Sequence, residues 1–236
     1  MQLPRFSLSV AALLAILSVV GCSQNQPPIE TSTPSFSAQL AQVQSGQSER
    51  IQIESPLSEA EFERCVGLSN LGELLLDDPR TICTPAMLRV IKSLPKLWHL
   101  RIRGPGIDDE ALSQLAEMPA LKILNTPQGT FSDSALKKLA QLPALEQLRV
   151  GSPNVTDAGL KSLPDFPALK RLHLIDIHLT DAGLRDLAKI KTLESLYIDG
   201  AELSDAALDD LFAARPLLHV HFNQQHHDRD PHSHAH

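Results

Sequence analysis

Three sets of residues in this chain have types and spacings that could do chemistry. The first lies at the C-terminus, where His219, His221, His226, His227, His232, His234 and His236 place seven of the ten histidines in the last 18 residues. Alternate spacing puts His232, His234 and His236 on one side of an extended chain, and such tracts bind divalent metals such as zinc or nickel. The competing reading is a soluble, disordered tail with adventitious affinity. The second set is Arg101, Asn125, Arg149, His173, Tyr197 and His221, each 24 residues from the next, with His99, Arg103, Arg171 and His219 close by in sequence. Arginine and tyrosine are the types enriched at interface hot spots. The third set is Asp109, Asp133, Asp157, Asp181 and Asp205, at the same interval. A carboxylate column invites a metal reading, and His173 with Ser195 invites a base-and-nucleophile reading.

What must position these residues is a repeat. Leucines keep step with the aspartates at Leu97, Leu121, Leu145, Leu169, Leu193 and Leu217. In the unit spanning 166–189, Leu169, Leu172 and Leu174 alternate with polar residues as a strand does. Leu184 and Leu187 follow at helical spacing. Thr180 can cap the helix by accepting from an unpaired backbone N–H, as can Asp108, Ser132, Thr156 and Ser204 in the same slot. The aspartate then occupies the first helical turn, where the helix dipole favours negative charge. Helix-start chemistry accounts for the aspartate column without a metal. Nothing activates Ser195, since no nucleophile elbow or oxyanion motif is present. An enzyme is not expected.

One such unit cannot bury its own leucines, but stacked neighbours can. A fixed period of 24 residues with an L-x-x-L-x-L core is the signature of a leucine-rich repeat solenoid. The predicted fold is therefore α/β, with a concave parallel sheet, convex helices and an N-terminal capping helix. Full units begin near Leu94, Met118, Leu142, Phe166 and Ile190. A sixth stops after its strand at 217–222, and a degenerate unit with Thr84-Pro85 comes first. The motifs VTDAGL at 155–160 and LTDAGL at 179–184 resemble the repeats of bacterial leucine-rich repeat proteins, similar to the ribonuclease-inhibitor-like and GALA-type subfamilies. The resemblance covers roughly residues 71–222. It implies protein or ligand binding on the concave face and no shared catalytic residues. Thr126-Pro127 departs from the pattern, so an irregular strand is expected there.

The N-terminus reads as an address. Arg5 precedes an apolar run that ends in Val-Val-Gly-Cys at 19–22, a secretory signal over 1–21 with a lipobox-like end. Cys22 is the expected lipid-bearing residue; an ordinary signal or a short membrane anchor is the alternative. Residues 22–55 read as a disordered tether because they hold too little apolar surface to fold alone, with Ile51 and Ile53 as a short edge strand. Ser58 and Glu61 form a capping box opening an amphipathic helix with Phe62, Cys65, Val66 and Leu68, the expected cap of the repeat domain at 56–222. Residues 223–236 are the histidine-rich tail. A formal net charge of −7 argues against nucleic acid. Cys65 and Cys83 remain as either a disulfide or two buried thiols.

These readings converge on a lipid-anchored binding protein of the cell envelope, on the periplasmic side or outer membrane. Its partner would be a protein, held on the concave face by Arg101, Arg103, Arg149, Arg171, His173 and Tyr197. The alternative is an envelope metal-binding protein that uses the tail histidines. The strand at 217–222 has no helix after it, so weak self-association through that edge is expected.

Overall fold

The alternation of strand and helix patterns is realised repeat by repeat. A computed structural model describes residues 33–226; Cys22, His227, His232, His234 and His236 lie outside them. Eight strands pair in sequence order: β1 (Arg50–Ile53), β2 (Glu73–Leu76), β3 (His99–Ile102), β4 (Ile123–Thr126), β5 (Gln147–Gly151), β6 (Arg171–Ile175), β7 (Ser195–Asp199) and β8 (His219–Phe222). All seven junctions between them are parallel. Helix α1 (Phe36–Gln44) precedes β1. The strands are then joined by α2 (Glu59–Glu63), α3 (Pro85–Lys92), α4 (Asp109–Leu115), α5 (Asp133–Leu139), α6 (Asp157–Leu160), α7 (Asp181–Leu187) and α8 (Asp205–Ala214). Among the described residues no helix is long and apolar enough to cross a membrane.

The register explains the leucine periodicity. Ile51, Leu74, Leu100, Leu124, Leu148, Leu172, Leu196 and Val220 are paired strand to strand and are fully buried. They form one row of a core shared by all the units, which no unit could complete alone. Because side chains alternate across a strand, the residues on either side of this row face the open side of the sheet. The irregularity expected at Thr126 appears on one side of β4 only: the strand pairs with β5 from Ile123 to Thr126 but with β3 only from Ile123 to Asn125. Pro127 falls one residue past the strand, where it lacks the N–H that Asp77, Arg103 and Asn223 donate to the preceding strand in the same slot.

Two N-terminal expectations are corrected. Residues 22–55 are not a tether throughout: β1 is the short edge strand expected at Ile51 and Ile53, but α1 folds ahead of it where only tether was expected. Ser35 caps α1, and Leu40, Val43, Ile51 and Ile53 are buried against the first repeat. Gln39 binds the segment down, its amide donating to the carbonyls of Pro34 and Gln52 while its oxygen accepts from the N–H of Gln52. A few apolar residues suffice here because a ready-made sheet edge receives them. The helix opened by Ser58 does form its capping box. It is not the cap, however: it lies between β1 and β2 as an ordinary repeat helix, and Val66 stands 50% exposed. The covering role passes back to α1.

At the far end, β9 (Gln225–His226) folds back antiparallel on β8, pairing His221 with His226 and Phe222 with Gln225. Asn223 and Gln224 take positive φ values of 48° and 64°, as a two-residue hairpin turn requires. The edge expected to be bare is therefore covered at Phe222, which removes the basis for pairing through that part of the strand. Val220 is buried, while Leu217, in step with the leucine period, is 82% exposed and Leu218 is buried in its place. The longer α8 shifts the connection. Arg215 also fixes this turn from α8 by donating to the carbonyls of Ala188, Ile190 and Leu193 at the end of the preceding unit.

Candidate functional site

Helix starts and strand faces carry the two sets of repeated polar residues, and they behave differently. Each aspartate of the column is the first residue of a helix, α4 to α8. Four of the carboxylates also reach the next unit. Asp109 accepts from the backbone N–H and hydroxyl of Ser132, Asp133 from those of Thr156, Asp157 from those of Thr180, and Asp181 from those of Ser204. These contacts hold the carboxyls of Asp109 and Asp181 below the usual carboxylate range, the backbone N–H of Ser132 and of Ser204 being the largest cause. Thr156, Thr180, Ser204 and Asp108 cap as expected, but Ser132 makes no side-chain cap bond and spends its hydroxyl on Asp109 and Ser134. The glycine in TDAGL makes room for this ladder: a Cβ on Gly183 would lie 2.1 Å from Asp157 Oδ1. The column is a structural clamp between neighbouring units.

The strand face is assembled by register. Arg101, Asn125, Arg149, His173, Tyr197 and His221 pair in a single row across β3 to β8. The expected basic character of this row is only partly realised, because carboxylates that belong to no repeat signature sit among the cations. Arg101 Nη2 pairs with Asp77 at 2.5 Å, and Glu73 takes both His99 (3.2 Å) and Arg50 (3.6 Å). The first three strands are thus neutralised internally.

The middle of the face is different. Arg149 Nε donates to His173 Nδ1 (3.1 Å), and its Nη1 donates to Asn125 Oδ1 (3.2 Å). His173 Nε2 lies 2.8 Å from Asp199 Oδ2. Since Nδ1 accepts from arginine, Nε2 carries the proton and His173 is neutral in this arrangement. Burial is the main cause holding the His173 imidazole below its ordinary pKa, although Asp199 opposes it. Burial also lowers the Arg149 guanidinium, with Arg103 the next cause. Both nitrogens of His173 are engaged, so it cannot serve as a base for Ser195. Gln147, Arg149, Arg171, His173 and Tyr197 together line a pocket of about 310 Å³. Arg101 and Arg103 stand outside it, Arg103 exposed on the turn after β3.

Towards the C-terminal end the face becomes a stack of rings. Tyr197 lies tilted on His173 at 5.5 Å and stacked on His221 at 4.5 Å, and His219 meets His221 edge-on at 4.7 Å. The Nε2 atoms of His219 and His221 are 2.9 Å apart. His226 is opposite His221 by strand register. Among the described residues no three metal-ligand side chains converge. Cys65 and Cys83 are both buried and free, not bridged. Burial pushes their thiols up, to about 11 and about 12.

Neither a protein-family model nor a curated protein matches the sequence. Solved structures do. The chain is similar to an internalin C2 from Listeria monocytogenes, with a TM-score of 0.52 and 20% identity over 77% of this chain and 72% of that one. It is also similar to a leucine-rich repeat protein from Leptospira interrogans, with a TM-score of 0.50 and 20% identity over 73% of this chain. That match spans 41% of the Leptospira chain, so this chain corresponds to less than half of it. The parallel ladder, the buried leucine row and these neighbours together establish a bacterial-type leucine-rich repeat fold.

Proposed function

We propose that this chain is an envelope binding protein that takes a protein partner on its strand face and carries lipid on Cys22. The observation that carries the reading is the contrast within one repeat. The position beneath the sheet is apolar in every unit and leucine in six of the eight strands, while the position above it changes from each unit to the next along β3 to β8. Arginine, asparagine, histidine and tyrosine stand in register there, touching one another along the row and each partly exposed. Arg and Tyr in such a row are hot-spot types. The sequence at 1–22 supports the address, on the periplasmic side or in the outer membrane, and the lipobox-like end supports the anchor. The test is site-specific photo-crosslinking in envelopes of cells making the full chain. A crosslinker at Gln147 should capture a protein that one at Lys137, on α5, does not. Equal capture at the two positions removes the reading. Cys22→Ala should release the chain from the membrane fraction; unchanged fractionation removes the anchor.

A divalent metal such as zinc or nickel at the histidine-rich terminus is the second reading, favoured by the approach of His219 to His221 and by the place of His226 in the hairpin. Saturable zinc binding by the full chain, lost when His232, His234 and His236 are replaced by alanine, would support it over the first.

A further inference from the structure

The pocket on β5 to β7 holds two guanidinium groups, Arg149 and Arg171, that form no ion pair among the described residues. Of the cations on the strand face, Arg50, His99 and Arg101 each lie beside a carboxylate. Arg149 has no such partner: both of its bonds go to neutral acceptors, Asn125 and His173. Arg171, across the same pocket, is exposed and makes no ion pair among the described residues. Two carboxylates act on them without pairing: Asp199, near Arg149, is held by His173, and Glu146, near Arg171, is held by Lys170. A half-buried cation without an anion is costly, and the cost is recovered when an anion arrives. Arg149 is also pre-set, because two of its donors are fixed and its Nη2 edge makes no bond to any described residue. A guanidinium edge is the group that matches a carboxylate in two-point fashion.

We infer that this pocket is a carboxylate-binding subsite, seating an aspartate or glutamate side chain of an extended acidic segment between Arg149 and Arg171, with Tyr197 as the flat wall beside it. This deepens the proposed function and rests on the strand face being the binding surface. The charge balance selects the anion. Two guanidinium groups against the carboxylate of Asp199, with His173 neutral, leave one net positive charge at the pocket. That suits a monoanion and disfavours a phosphate dianion. The volume of about 310 Å³ lies at the low end of the roughly 300–1,000 Å³ typical of small-molecule sites, so it suits a side chain more than a whole metabolite. An acidic segment also meets a chain whose formal net charge is −7, so long-range attraction is absent and recognition depends on this local patch.

The experiment uses the purified full chain and a fluorescein-labelled peptide, Gly-Glu-Gly-Tyr-Glu-Gly, read by anisotropy, with the Glu-to-Gln peptide as its pair. The acidic peptide should bind at least about tenfold more tightly than the amide peptide, since a charge-assisted bond is lost. Arg149→Gln and Arg171→Gln should each weaken the acidic peptide by about tenfold or more, and Lys137→Gln on α5 should not. Arg149→Lys should recover only part of the affinity, because the two-point edge is gone. Acetate should displace the peptide at lower concentration than inorganic phosphate does. Arg171 is exposed, so its variant keeps the test open if Arg149→Gln fails to fold. Equal affinity for the two peptides, unchanged binding by Arg171→Gln, or stronger displacement by phosphate would each overturn the inference. Crosslinking at Gln147 with no preference for the acidic peptide would remove the carboxylate subsite and keep the binding face. Peptide preference without crosslinking would keep the subsite and remove the protein-partner reading.

Discussion

The helix starts and the strand face share one 24-residue period, yet one repeats its chemistry and the other does not. At the helix starts an aspartate returns in each of five units, and four of these clamp the next unit in the same way. On the strand face the row from Arg101 to His221 changes residue at every step. Packing between identical units selects one solution and reuses it. A surface that meets something else has no reason to be periodic. Repetition therefore marks what holds the solenoid together, and variation at a fixed slot marks where specificity can lie.

That division can be attacked most strongly at Gly183. Gly183→Val would place side-chain atoms where the Asp157 carboxylate sits. It should cost about 2–4 kcal/mol, an overpacking loss of about 1–3 added to a broken clamp. Urea unfolding would measure it, and a loss below about 0.5 kcal/mol would mean the clamp is slack. Next in size is Asp157→Ala, which removes two bonds to Thr180 and should cost about 1–2 kcal/mol. Asp205 starts α8 in the same slot but has no following N-cap among the described residues. Asp205→Ala should cost only the dipole contribution of about 0.3–1 kcal/mol. Equal losses at the two sites would reduce the column to helix-dipole chemistry.

Acid should sharpen the contrast further. The fold favours the ionised carboxyls of Asp109 and Asp181. Their contribution is complete above the unfolded value of about 3.9 and is lost as pH falls through the lower folded values. Between about pH 5 and pH 3 the wild-type chain should lose more stability than Asp109→Asn/Asp181→Asn. Parallel losses would show that the lowered values have no energetic weight. The smallest expected effect on folding is Arg149→Gln, within about 0.5 kcal/mol, even though its effect on binding should be large. A severe loss of stability would move Arg149 from the varying set to the structural one.

Much of this was legible in the residues. The capping types at 108, 132, 156, 180 and 204 and the leucine row located every helix start and strand from β3 to β8. Three things were not. The aspartates looked complete as first-turn residues, because a carboxylate that reaches 23 positions ahead is visible only once units stack. The acids that neutralise part of the strand face, Glu73, Asp77 and Asp199, occupy slots the period leaves free, so a count of cations overstated the basic patch. The segment 36–44 is too polar to fold alone and reads as tether, yet Leu40 and Val43 fold against an edge that the rest of the chain supplies.

The clamp also sets the unit by which such a chain can lengthen or shorten. Each aspartate asks of its neighbour only a hydroxyl and an N–H in the capping slot, and Ser132, Thr156, Thr180 and Ser204 offer the same pair. Excising residues 133–156 would keep Ser132 for Asp109 and Thr180 for Asp157, and the seam closes without a mismatch. Excising 132–155 closes it equally, with Thr156 presented to Asp109 in place of Ser132. The same excision deletes Arg149 and sets Asn125 beside His173. Gain or loss of a whole unit thus costs the scaffold little and rewrites the row on its strand face, so a chain of this design can change that face in 24-residue steps without renegotiating its fold.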